Sequence, residues 1–219
     1  MKKKLFGAFI WLVVFGIFTG LCFVIDVTEY SLAGTTWEVG FSGMNLAVHE
    51  SLGFKESWYT VSEYLGYVAF LPVAVFALMG LWQLVKGKSL KKVDGDIYCL
   101  AVTYVIMLVL YVVFDKLPIC YRPVLIENEL ETSYPSSHTM LAVCIMGTTM
   151  LQLASRVHKQ ALKVVLMATC ALLGILIVVS RFLSGAHWTT DILGSLLISA
   201  AVVTFYSAMT AFIKEHEAK

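Results

Sequence analysis

Six apolar runs, each close to twenty residues long, constrain this chain more than any other feature. They lie at about 5–25, 65–85, 97–114, 138–154, 164–179 and 192–213. A helix needs about 20 apolar residues to cross a hydrocarbon core of ~30 Å. Backbone polar groups in lipid must be satisfied within the spanning element, so each run is predicted to be a helix. Six such helices leave little of the 219 residues beyond connections. The expected fold is therefore all-α: a polytopic membrane protein in which residues 1–219 form a single membrane-embedded domain. Pro72, inside the second run, predicts a kink there. The first run follows Met1-Lys2-Lys3-Lys4 but is longer than a signal-peptide core, with no small-x-small site after it, so it is expected to be a retained span.

Composition supports this and removes rivals. Hydrophobic residues make up 59% of the chain and charged residues 14%, with a mean hydropathy of +0.81. Soluble domains carry about 25% charged residues. A net charge of +1 excludes a nucleic-acid binder driven by bulk charge. The five cysteines (Cys22, Cys99, Cys120, Cys144, Cys170) form no CxxC pair and sit mostly in apolar runs, where cysteine behaves as a small hydrophobe. A disulfide framework or a zinc site is not expected.

Lysine and arginine are distributed unevenly. With the N-terminus in the cytoplasm, alternate loops place Lys2, Lys3, Lys4, Lys86, Lys88, Lys91, Lys92, Arg156, Lys159, Lys163, Lys214 and Lys219 inside. Lys55, Lys116, Arg122 and Arg181 fall outside. Cytoplasmic loops are enriched in basic residues, so both termini are predicted to lie inside. The inner lysines suit contact with anionic lipid. The first outer segment, 26–64, mixes Trp37, Phe41, Phe54, Trp58 and Tyr59 with polar residues. This reads as short interfacial helices after the first span, serving either as an aromatic anchor or as a lid over a site.

Three polar stretches fall on the outer face. They are Lys116 to Pro123, Tyr134-Pro135-Ser136-Ser137-His138, and Ser180-Arg181 through His187 to Asp191. Each has a plain explanation. Lys116 and Arg122 can touch headgroups, and Arg181 can snorkel. Ser136 can cap a helix, and His138 can be a hydrogen-bonded interface histidine. His187 and Asp191 can be a helical i,i+4 pair. Together they place three cations, two histidines, a carboxylate and helix-start hydroxyls at similar depth, and ionisable groups there are costly and functional by default. Guanidinium forks and an ammonium match phosphate oxygens, a helix start favours an anion, and an imidazole oriented by a carboxylate is poised for nucleophilic or acid–base work. No metal-ligand spacing and no Walker-type loop occurs. The chemistry expected is metal-independent phosphoryl transfer through a phosphohistidine, with no cofactor.

These motifs resemble those of the type 2 phosphatidic acid phosphatase superfamily, whose signature reads K-x6-R-P, P-S-G-H and S-R-x5-H-x3-D. Ser180, Arg181, His187 and Asp191 match the third part residue for residue. Pro135, Ser136 and His138 match the second, with Ser137 where the family has Gly. Lys116, Arg122 and Pro123 resemble the first, with one intervening residue fewer. The resemblance implies His187 as nucleophile, Asp191 as its orienting partner and His138 as general acid. It further implies a phosphate clamp of Lys116, Arg122 and Arg181, with Ser136 and Ser137 as additional donors. A site at the outer interface fits a lipid phosphate or pyrophosphate: undecaprenyl pyrophosphate, phosphatidylglycerol phosphate or phosphatidic acid. Membrane lipids are the expected partners, with neither nucleic acid nor an obligate protein partner implied. A bacterial plasma membrane suits the compact loops. A lipid phosphotransferase using the same residues and a non-catalytic phospholipid transporter are the alternatives.

Overall fold

The computed structural model describes residues 1–217, without the side chain of Glu217. Lys219, counted above on the inner side, lies outside the described residues. The elements run α1 (Lys2–Leu21), β1 (Thr28–Leu32), β2 (Thr35–Val39), α2 (Ser42–Leu52), α3 (Glu56–Ala69), α4 (Leu71–Gly87), α5 (Gly95–Lys116), α6 (Ser137–Arg156), α7 (Gln160–Leu183) and α8 (Thr189–Glu217). Six helical segments are long and apolar enough to cross a membrane, with α3 and α4 counting as one. They overlap all six predicted runs, the first ending at Leu21 rather than at 25.

The second span begins nine residues earlier than expected, at Glu56, and breaks at Phe70. Pro72 stands in the first turn of α4. Proline has no N–H to return to the preceding turn, so the helix is interrupted just before it. The early start matters, because it brings Tyr59, Ser62 and Glu63 onto a helix that borders the site.

The segment after the first span is only partly helical. α2 is a short helix where one was expected, but β1 and β2 form an antiparallel hairpin pairing Thr28 with Val39 through Leu32 with Thr35. Both turn residues, Ala33 (φ 51) and Gly34 (φ 80), are left-handed, as a two-residue hairpin turn of this hand requires. Asp26 ties hairpin to helix, accepting from the Ser42 hydroxyl at 3.0 Å and the Gly43 N–H at 2.6 Å. Trp37 and Val39 pack with Trp188 beside the site.

Outward faces carry the lipid-facing bulk, such as Phe6, Phe9, Leu78, Leu108 and Val165. Without a hydrophobic drive between helices, close approach at small residues holds such bundles together. At Gly147 of α6, an added Cβ would lie 2.9 Å from Val203 of α8. The first span lies along the last, with Lys4 Nζ donating to Ser207 Oγ at 2.9 Å and the N-terminus meeting Glu215 at 3.1 Å. Thr19 and Tyr134 share a hydroxyl hydrogen bond of 2.7 Å at the other end of α1.

That other end carries Lys55, Lys116, Arg122 and Arg181, and the opposite end carries the lysines that open α1, those following α4 and Lys159 between α6 and α7. There, Arg156 donates to Gln152 Oε1 at 2.6 Å, Asp94 Oδ2 at 2.9 Å and Asp96 Oδ1 at 2.5 Å. None of the five cysteines forms a disulfide among the described residues.

Candidate active site

The chain between α7 and α8 turns through Gly185 (φ 67), where any side chain would collide with the Gly53 carbonyl. The Lys55 N–H donates to Ser184 O at 2.8 Å, so the α2–α3 junction braces this loop. Asn45 of α2 reaches further, bonding Thr190 through both amide atoms (Nδ2 to Oγ1 3.0 Å, Thr190 N to Oδ1 3.2 Å).

His187 lies in this loop, before α8 begins, and Asp191 lies in the first turn of α8. The two are thus not the helical pair that the spacing suggests. Asp191 Oδ2 accepts from the Trp188 N–H at 2.8 Å, the return half of a capping box. The same oxygen accepts a short hydrogen bond from Ser133 Oγ and lies 3.4 Å from His187 Nδ1. Ser133 Oγ is also 3.2 Å from His187 Nδ1. With the Ser133 proton directed to Asp191, Nδ1–H donates to Ser133, and the lone pair is on Nε2. Nε2 is buried and makes no hydrogen bond among the described residues. Burial, then the nearby cations Arg122 and Arg181 and His138, hold the His187 pKa well below its ordinary value. An uncharged imidazole with a free Nε2 is a nucleophile at neutral pH.

Arg122 is buried and tied on one side to Glu131 (Nη2 to Oε2, 2.8 Å). Its Nη1 is buried without a partner among the described residues. Arg181, fully buried, stacks over Tyr59 at 4.5 Å. It donates through Nη1 to Ser62 Oγ (2.9 Å) and Glu63 Oε1 (2.8 Å), and through Nη2 to His138 Nδ1 (3.0 Å). Its Nε is left over. His138, accepting at Nδ1, places its Nε2–H on Glu63 at 3.1 Å.

A cavity of about 390 Å³ is bordered by His187, Arg122, Ser137 and, at its rim, Lys116, and His138 and Glu63 border a separate, smaller one. Burying a charge or donor without a partner is expensive. Arg122 Nη1, Arg181 Nε, His187 Nε2 and Asp191 Oδ1 are held so, and the two guanidinium groups make an environment suited to an anion. Lys116 is 77% exposed and paired with Asp115 at 3.0 Å. It is the last residue of α5 and lies at the mouth of the cavity that Arg122 also lines. Ser136 is the N-cap of α6, with Oγ on the Thr139 hydroxyl at 3.1 Å and N–H, as its plain reading held. Ser137 has no positive φ, so serine in the glycine position carries no strain.

Two partners escaped the sequence reading. Ser133 precedes the second motif and follows no pattern. Glu63 was assigned to the outer loop, although a carboxylate at the start of an apolar run is the kind of residue membrane depth singles out.

A profile of the PAP2 superfamily matches residues 97–214. A crystal structure of a transmembrane PAP2-type phosphatidylglycerolphosphate phosphatase from Bacillus subtilis superposes with a TM-score of 0.65 at 17% identity, covering 96% of this chain and 97% of that one. No curated protein sequence matches. The chain belongs to the PAP2 superfamily, a class of phosphatases, and is one of its membrane-embedded members.

Proposed function

We propose that the protein hydrolyses a lipid phosphate or lipid pyrophosphate at the outer face of a bacterial plasma membrane, through a phosphohistidine and without a divalent metal. The observation that carries this reading is His187: an imidazole with Nδ1 on the Ser133–Asp191 pair, Nε2 unpartnered, and two guanidinium groups close by. Its Nε2 lone pair attacks phosphorus, the ester P–O bond breaks, and the leaving oxygen takes a proton from His138. Asp191, through Ser133 and directly, stabilises the imidazolium that forms. Arg122 and Arg181 hold the charged oxygens of the transferring group, and the start of α6 at Ser136 and Ser137 adds backbone donors. Lys116, at the rim, meets the headgroup on its way in. Water then attacks the phosphohistidine and returns the proton to His138.

The cationic lining supports a metal-free route, since two guanidinium groups oppose a divalent ion where the phosphate would sit. The basic-residue asymmetry supports cytoplasmic termini and an outward site. Undecaprenyl pyrophosphate, phosphatidylglycerol phosphate and phosphatidic acid are the candidate substrates, and the matched Bacillus subtilis protein, by its title, acts on the second.

The test is inorganic phosphate release from these three lipids in detergent, with and without EDTA. Turnover unaffected by EDTA and a loss of roughly 10⁵-fold or more in His187→Ala are expected, as for removal of a nucleophile. Wild-type turnover in His187→Ala would refute the mechanism. A cysteine placed at Lys55, exposed at the end of the bundle that carries the site, should react with a membrane-impermeant thiol reagent in intact cells, and labelling only after permeabilisation would reverse the orientation.

A further inference from the structure

Glu63 lies outside the segment that matches the superfamily profile, yet it touches two of the motif residues. Its Oε1 accepts from Arg181 Nη1 at 2.8 Å and its Oε2 accepts from His138 Nε2 at 3.1 Å. It stands midway along α3, where neighbouring residues serve the same guanidinium: Ser62 accepts from Arg181 at 2.9 Å, and the Tyr59 ring lies beneath it at 4.5 Å. Tyr59, Ser62 and Glu63 are spaced so that one face of α3 presents all three.

We infer that Glu63 is the positioning residue of the general acid, doing for His138 what Asp191 does for His187. The inference rests on the phosphohistidine reading above and adds a second carboxylate–histidine pair to it. As the chain stands, both nitrogens of His138 are engaged: Nδ1 accepts from Arg181 Nη2, and Nε2–H donates to Glu63. Nδ1 is therefore the nitrogen that must carry the proton to a leaving oxygen, and it can do so only after Arg181 Nη2 turns to another acceptor. A phosphate is such an acceptor. When its oxygens draw Nη2 away, Nδ1 is released to bind a proton. The Nε2–H bond to Glu63 then stabilises the imidazolium and fixes the ring. In the first step the His187 Nε2–P bond forms and the P–O bond breaks. The electron pair on oxygen takes the proton from His138 Nδ1, leaving a neutral imidazole whose Nε2–H is still on Glu63. In the second step water gives that proton back. Proton delivery is thereby coupled to phosphate binding, because one guanidinium serves both.

The groups facing His138 are Glu63 and, by way of Arg181, Tyr59 on α3; Arg181 on α7; and, through space, His187 in the α7–α8 loop. Glu63 is the only carboxylate bonded to His138 among the described residues.

The experiment uses two isosteric lipids, hexadecyl phosphate and its S-linked counterpart with sulfur in the bridging position. A thiol is a far stronger acid than an alcohol, so the thiolate leaves without proton transfer while the alkoxide needs it. Glu63→Gln, checked for folding by its melting temperature, is expected to lose about 10²-fold in kcat on the O-linked lipid, within the usual worth of general acid catalysis. It should lose only a few-fold on the S-linked one. Glu63→Asp should recover part of the loss, and Glu63→Gln added to His138→Ala should cost nothing further. Equal losses on the two lipids would show that Glu63 acts through Arg181 or the fold alone and would overturn the inference. His187→Ala, inactive on both, keeps the two readings apart: a wild-type chain that hydrolyses neither lipid counts against the phosphatase reading, not against Glu63.

Discussion

The two ends of the bundle hold arginines in opposite circumstances. Arg156, at one end, spends its Nε and both Nη groups on Gln152, Asp94 and Asp96. At the other end Arg122 keeps an unpartnered Nη1 and Arg181 an unpartnered Nε, both buried. The saturated arginine fastens α6 to the start of α5 and is complete without a ligand. The unsaturated pair leaves buried hydrogen-bonding capacity unused, a cost folding does not accept without a use for it. The difference separates structural charge from chemical charge where composition counts both alike.

Substitutions at the two ends should therefore fail differently. Arg122→Ala and Arg181→Ala are each expected to lower kcat/KM by about 10²–10³-fold, the worth of a donor aimed at developing charge. Arg156→Ala should leave kcat within a few-fold and lower the melting temperature instead, since hydrogen bonds between charged groups contribute roughly 1.5–3 kcal/mol. Thermal melts and phosphate release on the same preparations decide this, and a catalytic collapse in Arg156→Ala would erase the distinction.

The pH profile sharpens the same contrast. His187 has its pKa lowered by burial and by Arg122, Arg181 and His138, in that order, and only the unprotonated ring attacks. Activity therefore falls as pH drops through that lowered value, so the acid limb of kcat/KM should lie below ~6.5, the ordinary histidine pKa. Removing the Arg122 charge should move the limb upward in the residual activity of Arg122→Ala, and Arg156→Ala should not move it. A limb at the ordinary value in the wild type would contradict the buried, cation-flanked imidazole. The smallest effect belongs to Lys116→Ala. With the side chain exposed and paired to Asp115, the expected loss in kcat/KM is a few-fold, on the order of an exposed ion pair's worth.

The spans were legible because lipid permits few solutions for the backbone, and an apolar run of the right length has little choice but to be a helix. The residues of the third motif were legible because their spacing is fixed. What that spacing meant was less so: His187 and Asp191 meet through a loop and a helix cap, not along one helix. Ser133 was invisible because its role comes from the fold that carries it beside α8, and a lone serine before Tyr134-Pro135 has no local signature. Glu63 was hidden by a boundary, and Tyr59 was legible only as an interfacial aromatic: α3 starts nine residues before the apolar run does. The hairpin was missed because Ala33-Gly34 makes a weaker turn signal than Asn-Gly.

The pairing of α1 with α8 bears on how the protein is made. A ribosome delivers α1 to the bilayer before α8, with four spans between them. Until then Lys4 lacks Ser207, the N-terminus lacks Glu215, and lipid alone flanks the surface that α8 will cover. The helix that closes the bundle is also the one that brings Asp191 to His187. Insertion of the sixth span thus covers α1 and forms the His187–Asp191 contact in a single event, and a nascent chain stalled before it lacks both.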